Sequence, residues 1–332
     1  MTARASSSEQ TWTTRKLMAW MTQAFTAKGL EAPRRLSEDL LAHVIGCDRL
    51  RLYMDQDRPA SALERSTLRD LVGRALNHEP VQYLTGHEWF FGMQFHVDRR
   101  VLIPRPSTET IVQHVLQHAR SQPGFGGAGL GMGGEGILLA DVCTGSGCIA
   151  IAVLKHLPGA RAVASDVSKE ALEVAALNAR RHGVEDRIDL LAGDLLEPLL
   201  EFPATAQKSA LHYLVSNPPY IPDDEWGDVA PNVKDHEPHL ALRGGCDGLD
   251  CVRRIVADGP DLLRPGGQLL IEVAASRAVQ ARELVATDER LTDVRILKDF
   301  EGLQRVVTAS RRGSSFVWNV GIVGSPRAES PI

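Results

Sequence analysis

At 332 residues, 43% of them apolar and 24% charged, the chain is long enough for two domains and can bury a sizeable core without staples. Its formal net charge of −5 excludes a nucleic-acid binder that works by neutralising phosphates. Its five cysteines are an odd number, and Cys143/Cys148 and Cys246/Cys251 lack the spacing of a zinc knuckle, so neither a disulfide framework nor a metal site is expected.

The charge is uneven. Residues 1–105 hold 15 Lys/Arg against 12 Asp/Glu, and the remainder holds 22 against 30; the mildly basic front end reads as solvated surface. Met1–Gln10 is polar and lacks the apolar run of a secretory signal. The longest apolar stretch, 137–154, is broken by Asp141 and a Gly/Ser cluster and is not expected to span a bilayer. The expected location is cytoplasmic, with no membrane partner and no direct nucleic-acid partner.

Residues 12–82 read as a small helical domain. Leu17, Met21 and Phe25 recur at helical spacing. A second helix starts at Pro33, carries Leu36, Leu40, Leu41, Val44 and Ile45, and stops at Gly46; a third runs from about Ser61 through Leu68, Leu71, Val72 and Ala75. Residues 83–106 form a linking β-hairpin. Trp89, Phe91, Phe95 and Val97 alternate with polar residues there, and Gly92 and Asp98 occupy turn positions.

Residues 107–312 form the larger domain. A helix carries Ile111, Val112, Val115, Leu116 and Ala119 on its buried side. Eight glycines between Gln122 and Gly136 make a loop that cannot pack. Strands over 137–142, 162–165, 187–192, 211–216 and 268–273 alternate with helices over 149–157, 168–183, 248–264 and 276–287. Further strands are expected near 293–297 and 304–309. This alternation predicts a parallel, doubly wound α/β sheet with helices on both faces. Residues 313–332 are expected to be a disordered tail.

Two motifs carry the chemistry. Asp141-Val-Cys-Thr-Gly-Ser-Gly147 ends the first strand, where an open α/β sheet binds ligands and glycines let the backbone approach closely. The dinucleotide fingerprint is not met. Asp166, at the end of the second strand, is placed to take two ribose hydroxyls. That pairing suits a nucleoside without pyrophosphate, such as S-adenosylmethionine. Asp194 ends the third strand and could meet the adenine ring, or could simply terminate the strand. The second motif, Asn217-Pro-Pro-Tyr220, follows the strand 211–216 at the same edge. An amide nitrogen is a poor nucleophile because its lone pair is delocalised. Acceptors at the Asn217 side-chain oxygen and the Pro218 carbonyl can hold its two protons and aim the lone pair. Prolines stiffen that backbone, and Tyr220 offers a flat stacking face. Glu272, in an apolar strand, requires a partner that the sequence does not name.

With Tyr83-Leu-Thr-Gly86, Val101-Leu-Ile-Pro-Arg-Pro106, Val215-Ser-Asn-Pro-Pro-Tyr-Ile-Pro222, His236-Glu-Pro238, Asp247-Gly-Leu-Asp250, Arg264-Pro-Gly-Gly267 and Gln304-Arg-Val-Val307, the chain resembles the bacterial HemK/PrmC family of protein-(glutamine-N5) methyltransferases over about residues 14–310. The resemblance implies a class I, Rossmann-like S-adenosylmethionine-dependent sheet, preceded by a helical domain that recognises the substrate. It implies methyl transfer to the glutamine N5 of the Gly-Gly-Gln motif in class I peptide chain release factors, by a monomer. Cofactor-binding positions are then Asp141, Thr144, Gly145, Gly147, Asp166, Asp194 and Asn217. Substrate-binding positions are Arg105, Glu109, Asn217, Pro218, Pro219 and Tyr220, with Asn217, Pro218 and Tyr220 catalytic. The family usually has Gly at the position of Cys143, and Arg-Pro-Glu-Thr-Glu where this chain has Arg105-Pro-Ser-Thr-Glu109. Cys143-Thr-Gly-Ser-Gly-Cys148 and Glu88-Trp-Phe90 are similar to the sister branch that methylates a large-subunit ribosomal protein, while Arg105-Pro106 and Gln304-Arg-Val-Val307 favour the release-factor branch.

Two other readings compete. An adenine-N6 nucleic-acid methyltransferase shares Asn-Pro-Pro-Tyr but needs a basic groove, which the acidic larger domain lacks. A nucleoside-binding interaction protein would have no use for the amide acceptors at 217–220.

Overall fold

The computed structural model describes residues 11–122, 133–206 and 209–313. Most of the glycine-rich loop and nearly all of the expected tail lie outside them. The chain divides into two compact units. One runs to His87 and includes Val97–Arg99 and Val229–Glu237; the other holds Glu88–His96, Arg100–Asp228 and the chain from Pro238 onward.

The first unit is helical: α1 (Thr14–Lys28), α2 (Pro33–Ile45), α3 (Arg49–Met54), α4 (Ala62–Leu76) and α5 (Val81–Thr85). Proline opens α2, and left-handed Gly29 and Gly46 close α1 and α2, as their backbone freedom allows. At the start of α4, Ser61 and Glu64 form a reciprocal capping box. Leu17, Met21, Phe25, Leu40, Leu41 and Leu68 are wholly or almost wholly buried in one core. Such single-faced helices are stable only by packing on each other. The short α3 and α5 have too few residues for a periodicity signal, and the sequence did not announce them.

The second unit opens with a hairpin, β1 (His87–Phe90, its first residue belonging to the helical unit) and β2 (Met93–His96). Its turn residues Phe91 and Gly92 both have positive φ, the backbone that a two-residue hairpin turn demands. There follow α6 (Glu109–Ser121), β3 (Leu138–Val142), α7 (Cys148–His156), β4 (Arg161–Asp166), α8 (Lys169–His182), β5 (Ile188–Ala192), α9 (Glu197–Glu201) and β6 (Leu211–Ser216). After α10 (Pro231–Lys234), which belongs to the helical unit, come α11 (Asp250–Leu262), β7 (Leu263–Glu272), α12 (Ala278–Ala286), β8 (Leu291–Lys298) and β9 (Gln304–Arg311).

Seven strands of the described residues form one sheet in the order β5-β4-β3-β6-β7-β9-β8. Its first five strands are parallel. The last two are not: β9 runs antiparallel to both β7 and β8. The expected parallel, doubly wound sheet is present in the first five strands, and the last two add an antiparallel edge to it. No helix separates β8 from β9, and without a crossover consecutive strands pair antiparallel. One apolar core packs α6, α7 and α8 on one face of the sheet, and a second packs α9, α11 and α12 on the other. Strand order reverses between β3 and β6, so their carboxyl ends open the crevice where such sheets bind ligands.

Two histidines, His212 buried and His118 half-buried, lie near the amino edge of this sheet. The backbone N–H of Leu138 donates to His212 Nδ1 at 3.1 Å, and the Arg264 guanidinium stands 2.7 Å from its Nε2. Burial, then Arg264, lowers His212 to about 4; burial, then His114 and Arg295, lowers His118 to about 4. The unfolded chain takes up these protons near pH 6.5 and the native protein does not. Stability is therefore full above that pH and falls as pH drops from 6.5 toward 4, by at most ~1.4 kcal/mol per pH unit for His212. Urea denaturation at pH 7.5 and 5.0 measures the loss. It should shrink in His212→Asn, and an unchanged pH slope in that variant would remove the assignment.

Candidate active site

The turn after β3 is built from within. Asp141 is wholly buried. Its Oδ2 accepts the Thr144 hydroxyl at 2.7 Å and the Ala150 N–H at 3.2 Å. Burial raises Asp141 to about 7, against the pull of these two bonds. Gly145 and Gly147 take left-handed φ of 55° and 80°, and Cys143 takes 62°. A side chain at Gly147 would also come within 2.8 Å of Ile151 Cδ1, so the turn lies directly on α7. A non-glycine residue pays for left-handed backbone, so Cys143 stands at a position where glycine would be less strained.

Asp166, at the end of β4, ties the turn in place. Its Oδ2 accepts the Gly145 N–H at 2.8 Å and its Oδ1 the Ser168 N–H at 2.9 Å. Burial raises its pKa and these amide bonds oppose the rise. A carboxylate has about four acceptor positions, so after these two bonds Asp166 retains capacity for a pair of hydroxyls.

A cavity of about 300 Å³ lies at this edge, lined by Gly145, Asp166, Asp194, Leu195, Asn217 and Pro219 among others. The structure thus brings together five of the expected site residues: Gly145, Asp166, Asp194, Asn217 and Pro219. Asp141, Thr144 and Gly147 do not line the cavity; they hold up the turn that does. Asp194 is half-exposed and paired with Arg254 of α11 at 2.7 Å. Glu109 faces elsewhere: its Oε1 accepts the N–H of Phe91 at 2.7 Å and secures the hairpin turn. Arg105 is not on the cavity wall, although its charge reaches Glu272.

The 217–220 segment hangs from β6, whose six residues are all buried. Ser216 Oγ donates to the Val142 carbonyl at 2.7 Å, linking the ends of β6 and β3. The Asn217 Nδ2 donates to Thr108 Oγ1 at 3.1 Å, so the carboxamide is held by its nitrogen end. Pro218 and Tyr220, further along the segment and expected to be catalytic, do not line the cavity. A loop at 242–248 grips the segment from outside. The Ile221 N–H donates to the Leu242 carbonyl, and Gly244 N–H to the Ile221 carbonyl, both at 2.9 Å. A Cβ at Gly248 would stand 2.4 Å from the Tyr220 carbonyl oxygen.

Sequence reasoning missed several contributors: Thr108 against Asn217, Ser107 against Glu272, Arg254 beside Asp194, the gripping glycines Gly244 and Gly248, and Asn178. The buried Asn178 exchanges bonds with the backbone of His96 at 2.7 and 3.0 Å and donates to the Ser146 carbonyl at 2.9 Å. It joins the hairpin to the glycine turn. Its position on the inward face of α8 was legible; its partners, tens of residues away, were not.

Among the described residues no helix is long and apolar enough to cross a membrane. Residues 16–86 match the family described as PrmC N-terminal domain, and residues 135–233 match the Methyltransferase small domain. Over 297 residues the chain is 39% identical to a release factor glutamine methyltransferase of Chlorobaculum tepidum, covering 90% of this chain and 97% of that one. Proteins of the same name from Geobacter sulfurreducens (37% identity, 89% and 96% covered) and Gloeobacter violaceus (39%, 83% and 90% covered) are similar over comparable lengths.

Proposed function

This chain belongs to the release factor glutamine methyltransferase family, and we propose on that premise that its 217–220 segment presents the substrate amide to S-adenosylmethionine held in the adjoining cavity. The chain is an S-adenosylmethionine-dependent enzyme that methylates a glutamine of release factors. The acceptor nitrogen is N5 of the glutamine in a Gly-Gly-Gln motif, the enzyme acts as a monomer without direct nucleic-acid contact, and it works in the cytoplasm, where translation terminates. The helical unit recognises the release factor.

The residues around the cavity fit the cofactor. Asp166 offers its remaining lone pairs to ribose hydroxyls, Gly145 lets the backbone approach, and Leu195 gives an apolar wall for the base. The cofactor supplies a methyl carbon on a sulfonium, whose C–S bond breaks with its electron pair returning to sulfur. Asn217 Oδ1 and the Pro218 carbonyl accept the two amide protons of the glutamine and so direct its lone pair along the line of transfer. The new N–C bond makes the nitrogen acidic, and the proton it loses is released to solvent as the products leave. Catalysis is then positioning and water exclusion, with no strong base required. The observation that carries this reading is that Asn217 lines the same cavity as Asp166 with its nitrogen end engaged elsewhere.

Radiolabelled S-adenosylmethionine offered with a release factor, a large-subunit ribosomal protein and DNA tests it: label should enter the release factor. Label on the ribosomal protein or DNA instead would overturn the substrate assignment. For the cofactor, Asp166→Ala should weaken S-adenosylmethionine binding by about one to two decades, since charge-assisted hydrogen bonds of this kind carry roughly 1.5–3 kcal/mol. Calorimetry is the measurement; unchanged affinity would show that Asp166 does not hold the ribose.

A further inference from the structure

We infer that Glu272, Ser107 and Thr108 form a hydrogen-bond relay whose polarity decides which end of the Asn217 carboxamide faces the substrate. The inference rests on the reading of Asn217 as acceptor for the substrate amide.

Glu272 ends β7 and is wholly buried. Its Oε1 accepts the Ser107 hydroxyl at 2.9 Å. Its Oε2 is buried and makes no hydrogen bond in the structure; the buried Thr108 hydroxyl is near enough to favour the charge on the same carboxylate, and the relay assigns its hydrogen to that open oxygen. Burial opposes the charge on Glu272, while Thr108, Ser107, Arg305 and Arg105 favour it. A carboxylate can only accept, and a hydroxyl has one hydrogen to give. Thr108 directs that hydrogen to Glu272 and meets its other neighbour with lone pairs alone. That neighbour is Asn217, whose Nδ2 donates to Thr108 Oγ1 at 3.1 Å. The Oδ1 end is left for the cavity that Asn217 lines. A carboxamide is nearly symmetric in shape, so packing cannot choose between its two ends; a charge at the far end of the relay can. Glu272, Ser107 and Thr108 are positioning residues, and Glu272 thereby has a use that neither burial nor the strand supplies.

Glu272→Gln keeps the shape and removes the charge. Its amide can donate to Thr108, which then donates to Asn217 and turns Nδ2 toward the substrate. Thr108→Val keeps the shape and removes the acceptor. Each variant should lower the single-turnover rate about 3- to 10-fold, the worth of one hydrogen bond. Substrate KM and S-adenosylmethionine Kd should stay within about twofold of wild type, since neither residue touches those ligands. Thr108→Ser, which retains the hydroxyl that Thr108→Val lacks, should keep the wild-type rate. A purely structural role would instead lower Tm and cofactor affinity together and would not separate kcat from KM. Wild-type rates in both Thr108→Val and Glu272→Gln overturn the relay. If Thr108→Val does not fold, Glu272→Gln decides alone. Asn217→Ala run in parallel separates the two failures: an inactive Asn217→Ala beside fully active relay variants sinks only the relay, whereas an active Asn217→Ala sinks the reading on which it rests.

Discussion

Replacing Asn217 with alanine should cut the single-turnover rate of glutamine methylation by about 10²-fold or more, the usual cost of removing one oriented polar group from an active site. The side chain is held at its nitrogen by Thr108 and lines the cavity, so its oxygen is fixed before the substrate arrives and nothing has to reorganise during transfer. Without it the glutamine amide keeps one proton unheld, its lone pair stays conjugated with its own carbonyl, and the nitrogen attacks poorly. S-adenosylmethionine affinity should change far less than the rate, because the proposed site rests that binding on Asp166 and the glycine turn. Rapid-quench methylation of a Gly-Gly-Gln substrate, alongside calorimetry with the cofactor, measures both quantities. A rate near wild type in the variant would remove amide orientation as the mechanism.

Gly248→Ala should damage the site from the other side. The added Cβ would stand 2.4 Å from the Tyr220 carbonyl oxygen and 3.1 Å from Pro222 Cγ, at a φ of 77°. Left-handed backbone costs an alanine about 1–2 kcal/mol, and overpacking adds about 1–3 kcal/mol. Neither neighbour can swing aside, because one is main chain and the other a proline ring. The 217–222 segment must shift, and a displacement of about 1 Å at a reacting centre can cost about 10²-fold in rate. Both Tm and the methylation rate should therefore fall. Gly227→Ala is the control, since a Cβ there meets nothing within 4 Å. If Gly248→Ala matches Gly227→Ala in both measurements, the gripping loop has no part in holding Tyr220.

Much of this was legible in the order of residues. The 3.6-residue spacing of Leu17, Met21 and Phe25 and the alternation of buried strands with amphipathic helices are local signals, and the helical unit and the five parallel strands follow from them. The two motifs fall at strand ends, so their meeting at one edge followed from topology. What could not be read depends on partners distant in sequence. Glu272 looked like a carboxylate in want of a partner, and its partner Ser107 lies 165 positions away. Glu109 sits in a segment that contributes to the family resemblance and seemed bound for the substrate; only the folded hairpin shows the Phe91 amide that takes it. The direction of β9 was knowable in principle, since no helix intervenes after β8, but the preceding alternation suggested otherwise.

The carboxyl ends of β3 and β6 are paired residue for residue, Val142 with Ser216, and a serine hydroxyl pins them again. On the proposed reading the turn that receives the cofactor hangs from one strand and the amide-holding segment from the next, so the roots of the two are set apart by the spacing of adjacent strands, about 4.8 Å. Two hydrogen-bonded strands at the centre of a sheet open only when the sheet does. Warming the enzyme should therefore leave the alignment of the reactants intact up to the melt, and heat inactivation should coincide with global unfolding instead of running ahead of it.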